Sequence, residues 1–448
     1  MNGSTAPAPA ARRRARNGVL VLGGGFAGAT VTRGLGAEGP TLISDENALV
    51  FTPLLPEAAS GTLESRHVVV PLRQMCPSAE LFLGRATAHD PQERVVRVAT
   101  DTGEVEFSYD TLVVALGSVS RTLPIPGLAE HGIGFKNLGD ALYLRNHVLR
   151  QLELADNETE DASAAPYLGF VFVGAGYAGV EALAELHDMV SDALRYYPDL
   201  RRVPQRWVLV DALDKILAAI PTRLGDYAQE ILLSRGIEVR TSTRLAAVRA
   251  DAVELDDGTS IAARTLVWSA GVTANPVLAD LALPLDEQRR VRVTDTLQVE
   301  GLPRVWAVGD CARVPNAMTP GTPDPPTSQH ALRQARRLAK NLLAVRRGAT
   351  PQSYGYRALG QVATLGRYKG IADVMGLRFS GFLGWFITRS YHLYALPLLS
   401  RQIRVLSDWT LSLLFRRDVV AFGSFDEPPP LAPGGRAKPS PRSAGMTR

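Results

Sequence analysis

The sequence predicts an α/β fold made of two Rossmann-like units, the second inserted in the first, followed by a C-terminal amphipathic helical region. Three observations predict it. Glycine-rich strand–turn–helix patterns begin at Gly18 and again at Tyr167. The apolar run at 305–308 returns long after the second pattern, as a strand completing an interrupted sheet would. The segment 376–417 then mixes Trp, Phe, Tyr and Leu with arginine. At about 150 residues per domain, 448 residues suit three structural units.

Composition narrows the classes. A chain that is 46% apolar can bury sizeable cores and is neither disordered nor fibrous. Two cysteines, Cys76 and Cys311, exclude a disulfide framework, and no CxxC pair is present for thiol–disulfide chemistry. The seven histidines show no metal-ligand spacing, so no metal site is expected. Residues 1–17 are Pro/Ala/Arg-rich with no apolar stretch of a secretory signal, and read as a disordered basic tail on a cytoplasmic protein. The net charge of +4 is unevenly spread: +4 in residues 1–17, +8 in 351–448, and −8 between them. Positive charge at both chain ends, mixed with aromatics at the second, suits an anionic membrane surface and not nucleic acid.

The elements follow in order. Strand Val19–Leu22 leads through a glycine turn into a helix and a second strand ending near Ser44. Runs at 94–99 and 112–116 read as strands, 139–154 as a long amphipathic helix, and 155–165 as an acidic loop. Strand Gly169–Val173, a helix beginning near Val180, and strand 207–210 form the second unit. Segments 238–240, Ala252–Leu255 and Thr265–Trp268 are β-like. Five prolines in 315–326 impose a loop, 328–345 reads as a helix, and 421–448 is a Pro/Gly/Ser-rich tail expected to be disordered.

Gly23, Gly25 and Gly28 form GxGxxG around Phe26 and Ala27. The first glycine permits the tight turn, the second lets backbone approach a pyrophosphate, and the third lets helix and strand pack closely. The helix N-terminus then offers its free N–H groups to phosphate. Gly174, Gly176 and Gly179 repeat the pattern in the same context, which points to two dinucleotide sites. Asp211 ends the next strand of the second unit, where an acid can grip ribose hydroxyls. Ala212, Leu213 and Asp214 supply no arginine for a 2′-phosphate, so NADH is expected over NADPH. In the first unit both Ser44 and Asp45 are candidates. The strand ending at Gly309 and Asp310 is expected just before a helix, placing Asp310 to hydrogen-bond a polyol, the alternative being an ordinary N-cap. LVVALG at 112–117 brings Gly117 to a strand end in the same manner.

Together these residues resemble the two-dinucleotide-binding-domain flavoproteins, and within them the type II NADH:quinone oxidoreductases, the non-proton-pumping alternative NADH dehydrogenases. The likeness spans roughly 18–420 and rests on FTPLLPEAASGTLE (51–64), LVVALGS (112–118), LVWSAGV (266–272, with Gly271), VWAVGDCA (305–312), PPTSQHALRQ (325–334) and SGFLGWFITRSYHLYALP (380–397). It implies an FAD-binding domain over 18–135 and 286–350, an NAD-binding domain over 136–285, and a membrane-associating or dimer region over 351–420. It also implies FAD on Gly23, Gly25, Gly28, Thr52, Pro53 and Asp310, and NADH on Gly174, Gly176, Gly179 and Asp211. Glu181 matches a family glutamate near the nicotinamide, the alternative being a carboxylate favoured by the helix dipole. Gln329 matches the first glutamine of the family motif AQxAxQ at the quinone site. Ser44 stands where many members carry an acid, and Ser328 and Arg333 depart from the quinone motif.

The resemblance implies hydride transfer from NADH to bound FAD and onward electron transfer to menaquinone or ubiquinone, on the cytoplasmic face of the inner or plasma membrane. The runner-up is a soluble NADH-dependent flavoprotein reductase with a non-membrane acceptor. No run of 18 apolar residues exists, because Arg389 and His392 interrupt the best stretch. Segment 401–417 reads as an interfacial amphipathic helix with Val405, Leu406, Trp409, Leu413 and Phe415 on its apolar side. Arg401, Arg404, Arg416 and Arg417 would then face anionic lipid. The competing reading is a helix packed on the body or on a second subunit of a homodimer.

Overall fold

The computed structural model describes residues 11–358 and 360–421. Most of the expected C-terminal tail (421–448) and residues 1–10 lie outside the described residues. Seven helices bear on the site and are numbered in chain order: α1 (Phe26–Gly34), α2 (Leu55–Ala59), α3 (Leu138–Asp156), α4 (Tyr177–Ala193), α5 (Ser328–Arg346), α6 (Gly381–Ala395) and α7 (Leu399–Leu414).

Two five-stranded sheets, both wholly parallel, form the frame. The first runs Val305–Ala307, Thr111–Val114, Val19–Leu22, Thr41–Ser44, Glu80–Leu83. The second runs Gly132–Gly134, Thr265–Trp268, Gly169–Val173, Arg206–Val210, Ile237–Arg240. The central strands VLVL and GFVFV are buried at every residue, as strands covered on both faces must be. The chain leaves the first sheet after Thr111–Val114 and builds the second. It then returns as Val305–Ala307 against the strand it left. The second unit is therefore inserted in the first.

Local chemistry explains the helix ends. Asn137 and Asp140 form a reciprocal capping box that starts α3 at Leu138, one residue before the expected start. Thr327 caps α5 by accepting from the His330 N–H. Helices α1 and α5 meet through small residues: a Cβ on Gly34 would stand 2.7 Å from the Ala339 Cβ. Beyond α5 the chain forms an antiparallel sheet, Gly360–Thr364, Gly370–Val374 and Leu377–Ser380, on which α6 packs. At that contact a Cβ on Gly384 would lie 2.5 Å from the Gly370 carbonyl oxygen.

Two expectations need correction. The basic tail assigned to 1–17 is not wholly disordered: Ala11–Arg14 is a strand parallel to Gly103–Ser108. Its arginines find partners that sequence distance conceals. Arg13 pairs with Glu80 at 3.0 Å and stands over the rings of Phe82 and Phe107, and Arg14 pairs with Asp110 at 2.9 Å. Nor is α7 a single-faced amphipathic helix. Val405 and Trp409, one turn apart, are buried against the body, while Leu406, Leu413 and Phe415 are exposed. Arg417 faces inward, not toward lipid, and pairs with Glu185 at 3.1 Å. Among the described residues no helix is long and apolar enough to cross a membrane.

Candidate active site

The two glycine turns are near copies. Gly23 (φ +102°) and Gly174 (φ +109°) take left-handed conformations that a side chain resists. A Cβ on Gly28 would lie 1.8 Å from the Gly23 oxygen, and one on Gly179 would lie 1.9 Å from the Gly174 oxygen. Gly25 and Gly176 differ in kind. Each is an N-cap with φ −74° and no side-chain cap, and a Cβ on either would meet nothing within 4 Å. The first N–H groups of α1 and α4 thus open onto a cradle without side chains, which fits a pyrophosphate.

Strand ends complete both cradles. Register puts Leu22 opposite Ile43 and Val173 opposite Val210, so Ser44 and Asp211 stand at equivalent places. The Asp211 carboxylate accepts from the N–H groups of Ala175 (2.5 Å) and Leu213 (2.8 Å), which fixes its direction. Ser44 is buried beside Gly24, whereas Asp45 turns outward to Arg85 at 3.8 Å. Gly117 (φ +64°) and Gly309 (φ +79°) follow the neighbouring strands of the first sheet, and Gly271 (φ +87°) follows Thr265–Trp268 in the second. Asp310 accepts from the Ser118 hydroxyl at 2.7 Å, and the Lys136 ammonium donates to Ser118 at 3.1 Å. Phe26 lies 5.7 Å from Phe51, just before the Thr52–Leu54 turn that carries Pro53 into α2. Ala27 closes against Gly309, whose Cβ would stand 3.0 Å away.

No helix follows Asp310 directly. The short strand Ala312–Arg313 and the proline loop intervene, and the loop brings the start of α5 back to Gly309 and Asp310. Gln334, which the sequence reading passed over, makes the junction: its side-chain oxygen accepts from the Gly309 N–H at 2.8 Å and its amide donates to Asp324 at 2.9 Å. The available signal was a polar residue in the apolar row Ala331, Ala335, Leu338 of an amphipathic helix.

Gln329 faces elsewhere. Its amide donates to Tyr391 Oη at 3.1 Å and its oxygen accepts from Tyr356 Oη at 3.3 Å, so it joins α5 to the C-terminal unit. Arg333, one turn on, lies 5.1 Å from the Tyr356 ring.

Glu181 lies in the second turn of α4 and points into the core, not at the helix terminus, so the dipole does not account for it. It accepts from the Thr364 N–H at 2.9 Å, and burial pushes its carboxyl up to about 8. Glu185, one turn further, accepts from Ser60 (2.9 Å), Thr62 (3.2 Å) and Arg417 (3.1 Å). Glu57 of α2 accepts from Arg389 at 3.0 Å and from the Trp409 indole. Burial raises its pKa against the pull of Arg389. Three buried carboxylates thus gather where both sheets meet the C-terminal unit. Glu57 carried no local signal, because its partners come from the far end of the chain.

The raised Glu181 pKa has a testable sign. The folded chain keeps this proton up to about 8, whereas the unfolded chain releases it from 4.5 upward, so the group lowers stability as pH rises between those values. Glu181→Gln keeps the acceptor for Thr364 and removes the titration. Its unfolding free energy, from denaturant titration, is expected to match wild type near pH 4.5 and to exceed it above pH 8, by roughly 4 kcal/mol. Equal unfolding free energies at both pH values would contradict the shift.

Comparison with known proteins places this geometry. The pyridine nucleotide-disulphide oxidoreductase family matches residues 17–335. The chain belongs to this family. A protein of Dictyostelium discoideum named "Probable NADH dehydrogenase" is 34% identical over 393 residues, covering 85% of this chain and 86% of that protein. The type II NADH:quinone oxidoreductase Ndh of Mycobacterium tuberculosis is 29% identical, with 91% and 90% covered. The fold matches that of NDH2 from Plasmodium falciparum in complex with NADH, with a TM-score of 0.84 at 18% identity over 90% of this chain and 99% of that one. In this pyridine nucleotide-disulphide oxidoreductase both cysteines are free and buried. Cys311 lies against the Val114 and Val308 carbonyls as a packing residue.

Proposed function

We propose that this chain is an FAD-dependent NADH:quinone oxidoreductase that does not pump protons, acting at a membrane surface. The observation that carries this reading is the pair of glycine cradles with matching turn geometry, each at the carboxyl edge of its own parallel sheet. The relatives named for NADH dehydrogenase and NADH:quinone oxidoreductase activity, matched over most of their length, support it.

Bound FAD supplies hydride acceptance and onward transfer of electrons in ones or twos. The protein residues position. Gly23, Gly25, Phe26, Ala27 and Gly28 seat the FAD pyrophosphate at the start of α1, with Ser44 at the ribose and Thr52, Pro53, Gly117, Gly309 and Asp310 around the remainder. Gly174, Gly176, Gly179, Asp211 and Gly271 do the same for NADH, and buried Glu181 holds its proton beside that site at neutral pH. Gln329 lines the acceptor side, between α5 and the C-terminal unit.

The membrane part rests on exposure. Phe382, Phe386 and Tyr394 of α6 and Leu399, Ile403 and Leu414 of α7 are all more than half exposed, a concentration of exposed large apolar side chains on two successive helices that marks an interaction surface. A helix pair lying in the headgroup layer on the cytoplasmic side covers it.

The test is anaerobic. NADH is expected to bleach the flavin, and a menaquinone or ubiquinone analogue to restore it. A protein that NADH bleaches but only water-soluble acceptors reoxidise would support the soluble-reductase reading instead. Two substitutions separate the half-reactions. Asp211→Ala is expected to slow reduction by NADH and narrow its advantage over NADPH. Wild-type protein reduced equally fast by both nucleotides contradicts the role given to Asp211. Gln329→Ala is expected to slow quinone reduction about tenfold or more, the effect of losing one positioned polar contact, while flavin reduction stays near wild type. Equal losses in both steps indicate damage to α5 packing instead.

A further inference from the structure

A second recess lies away from both cradles, where the loop after α2 meets the start of α7. It is a cleft of about 420 Å³ lined by Arg66, His67, Val69, Arg401 and Arg404. No acidic side chain lines it. Two carboxylates border it, and both are occupied: Asp408 accepts from His67 Nδ1 at 2.6 Å and from the Glu64 N–H at 3.0 Å, and Glu64 accepts from Arg66 Nε at 3.1 Å. Arg401 donates to the Arg66 carbonyl at 2.9 Å, and its Nε is buried with no partner. These contacts clamp the loop onto α7, so that three guanidinium groups from two distant segments share one recess. Like charges are not gathered this way without cost, since Arg401 is both partly buried and beside Arg404.

We infer that this cleft binds the phosphodiester headgroup of an anionic membrane phospholipid. Guanidinium groups present planar forks that match phosphate oxygens in pairs. The same helix exposes Leu399, Ile403 and Leu406 beside the cleft, so a headgroup held by Arg66, Arg401 and Arg404 leaves its acyl chains along an apolar face. Free phosphate satisfies only the cationic half of this arrangement. The assignment rests on the membrane reading above and adds a lipid class and a defined seat to it.

The experiment uses full-length flavoprotein. Binding is measured to vesicles of phosphatidylcholine alone and of phosphatidylcholine with phosphatidylglycerol, and to dihexanoyl phosphatidylglycerol below its micellar threshold, with inorganic phosphate as comparison. At roughly fivefold per arginine near an anionic surface, Arg401→Gln/Arg404→Gln is expected to weaken phosphatidylglycerol-vesicle binding about 25-fold. Binding to phosphatidylcholine alone and the flavin band are expected to persist. Arg66→Gln, which leaves α7 intact, is expected to lose about fivefold. The soluble lipid is expected to saturate at one per chain, and inorganic phosphate not to displace it. Phosphate binding as tightly as the lipid overturns the lipid assignment. So does an equal loss from the exposed pair Arg336→Gln/Lys340→Gln on α5, which would indicate diffuse attraction. Wild-type behaviour of the Arg401/Arg404 variant on phosphatidylglycerol vesicles overturns the cleft while leaving the membrane reading standing. Failure of the wild-type protein to bind either vesicle overturns the membrane reading itself.

Discussion

Gly25→Val is expected to give a folded protein that purifies colourless, and Gly176→Val a yellow protein that NADH no longer bleaches. Both positions have φ −74° with extended ψ, which valine adopts freely, and at both the new Cβ would meet nothing beyond the adjoining backbone within 4 Å. The folded chain therefore has no reason to object to either substitution. A dinucleotide does, because its pyrophosphate must come within hydrogen-bond distance of the N–H groups at the helix start. Gly28→Ala serves as the contrast: its Cβ would lie 1.8 Å from the Gly23 oxygen, so that variant is expected to lose soluble, folded protein together with flavin. The ratio of flavin to protein absorbance, read beside the circular dichroism spectrum, separates the cases. Flavin retained at the wild-type ratio in Gly25→Val would remove the first turn as the FAD seat. NADH reduction unchanged in Gly176→Val would do the same for the second.

Arg389→Met is expected to destabilise the protein by about 3 to 5 kcal/mol, because it leaves Glu57 buried without its counter-charge. The loss is expected to grow with pH. Removing Arg389 pushes the Glu57 carboxyl still further above its ordinary value, and a raised acid lowers stability as pH climbs through the window between unfolded and folded pKa. The double variant Glu57→Gln/Arg389→Met removes both charges while Gln can still accept from the Trp409 indole, so most of the loss is expected to return. A double-mutant cycle on the denaturant midpoint measures the coupling directly. Additive single effects would show that Arg389 acts through its packing between Trp385 and Trp409, over whose rings it lies at 4.4 and 4.8 Å, and not through its charge.

This ion pair also locates the boundary of what sequence reasoning reaches. Glycine turns, buried strands, the proline loop and the starts of α3 and α5 were legible because each is decided within about ten residues. A left-handed φ, a period of 2 or 3.6 and a capping side chain leave their marks beside the element they shape. The two cradles could therefore be placed residue by residue, and Asp211 with them. Which of Ser44 and Asp45 lies beside the first turn was not legible in the sequence; the fold sets Ser44 against Gly24 and turns Asp45 toward Arg85.

The sequence by itself determined the two α/β units, their glycine cradles and the aromatic, arginine-rich C-terminal segment. Only the tertiary structure decided where the remaining charges go. It paired Arg389 with Glu57 across 332 positions, turned Arg417 inward to Glu185, set Gln334 and not Gln329 against Gly309, and made a strand of Ala11–Arg14. The physical reason is the same in each case. Backbone conformation is chosen by local sterics, whereas a buried charge or polar group is tolerated only where a partner meets it, and that partner can come from anywhere in the chain.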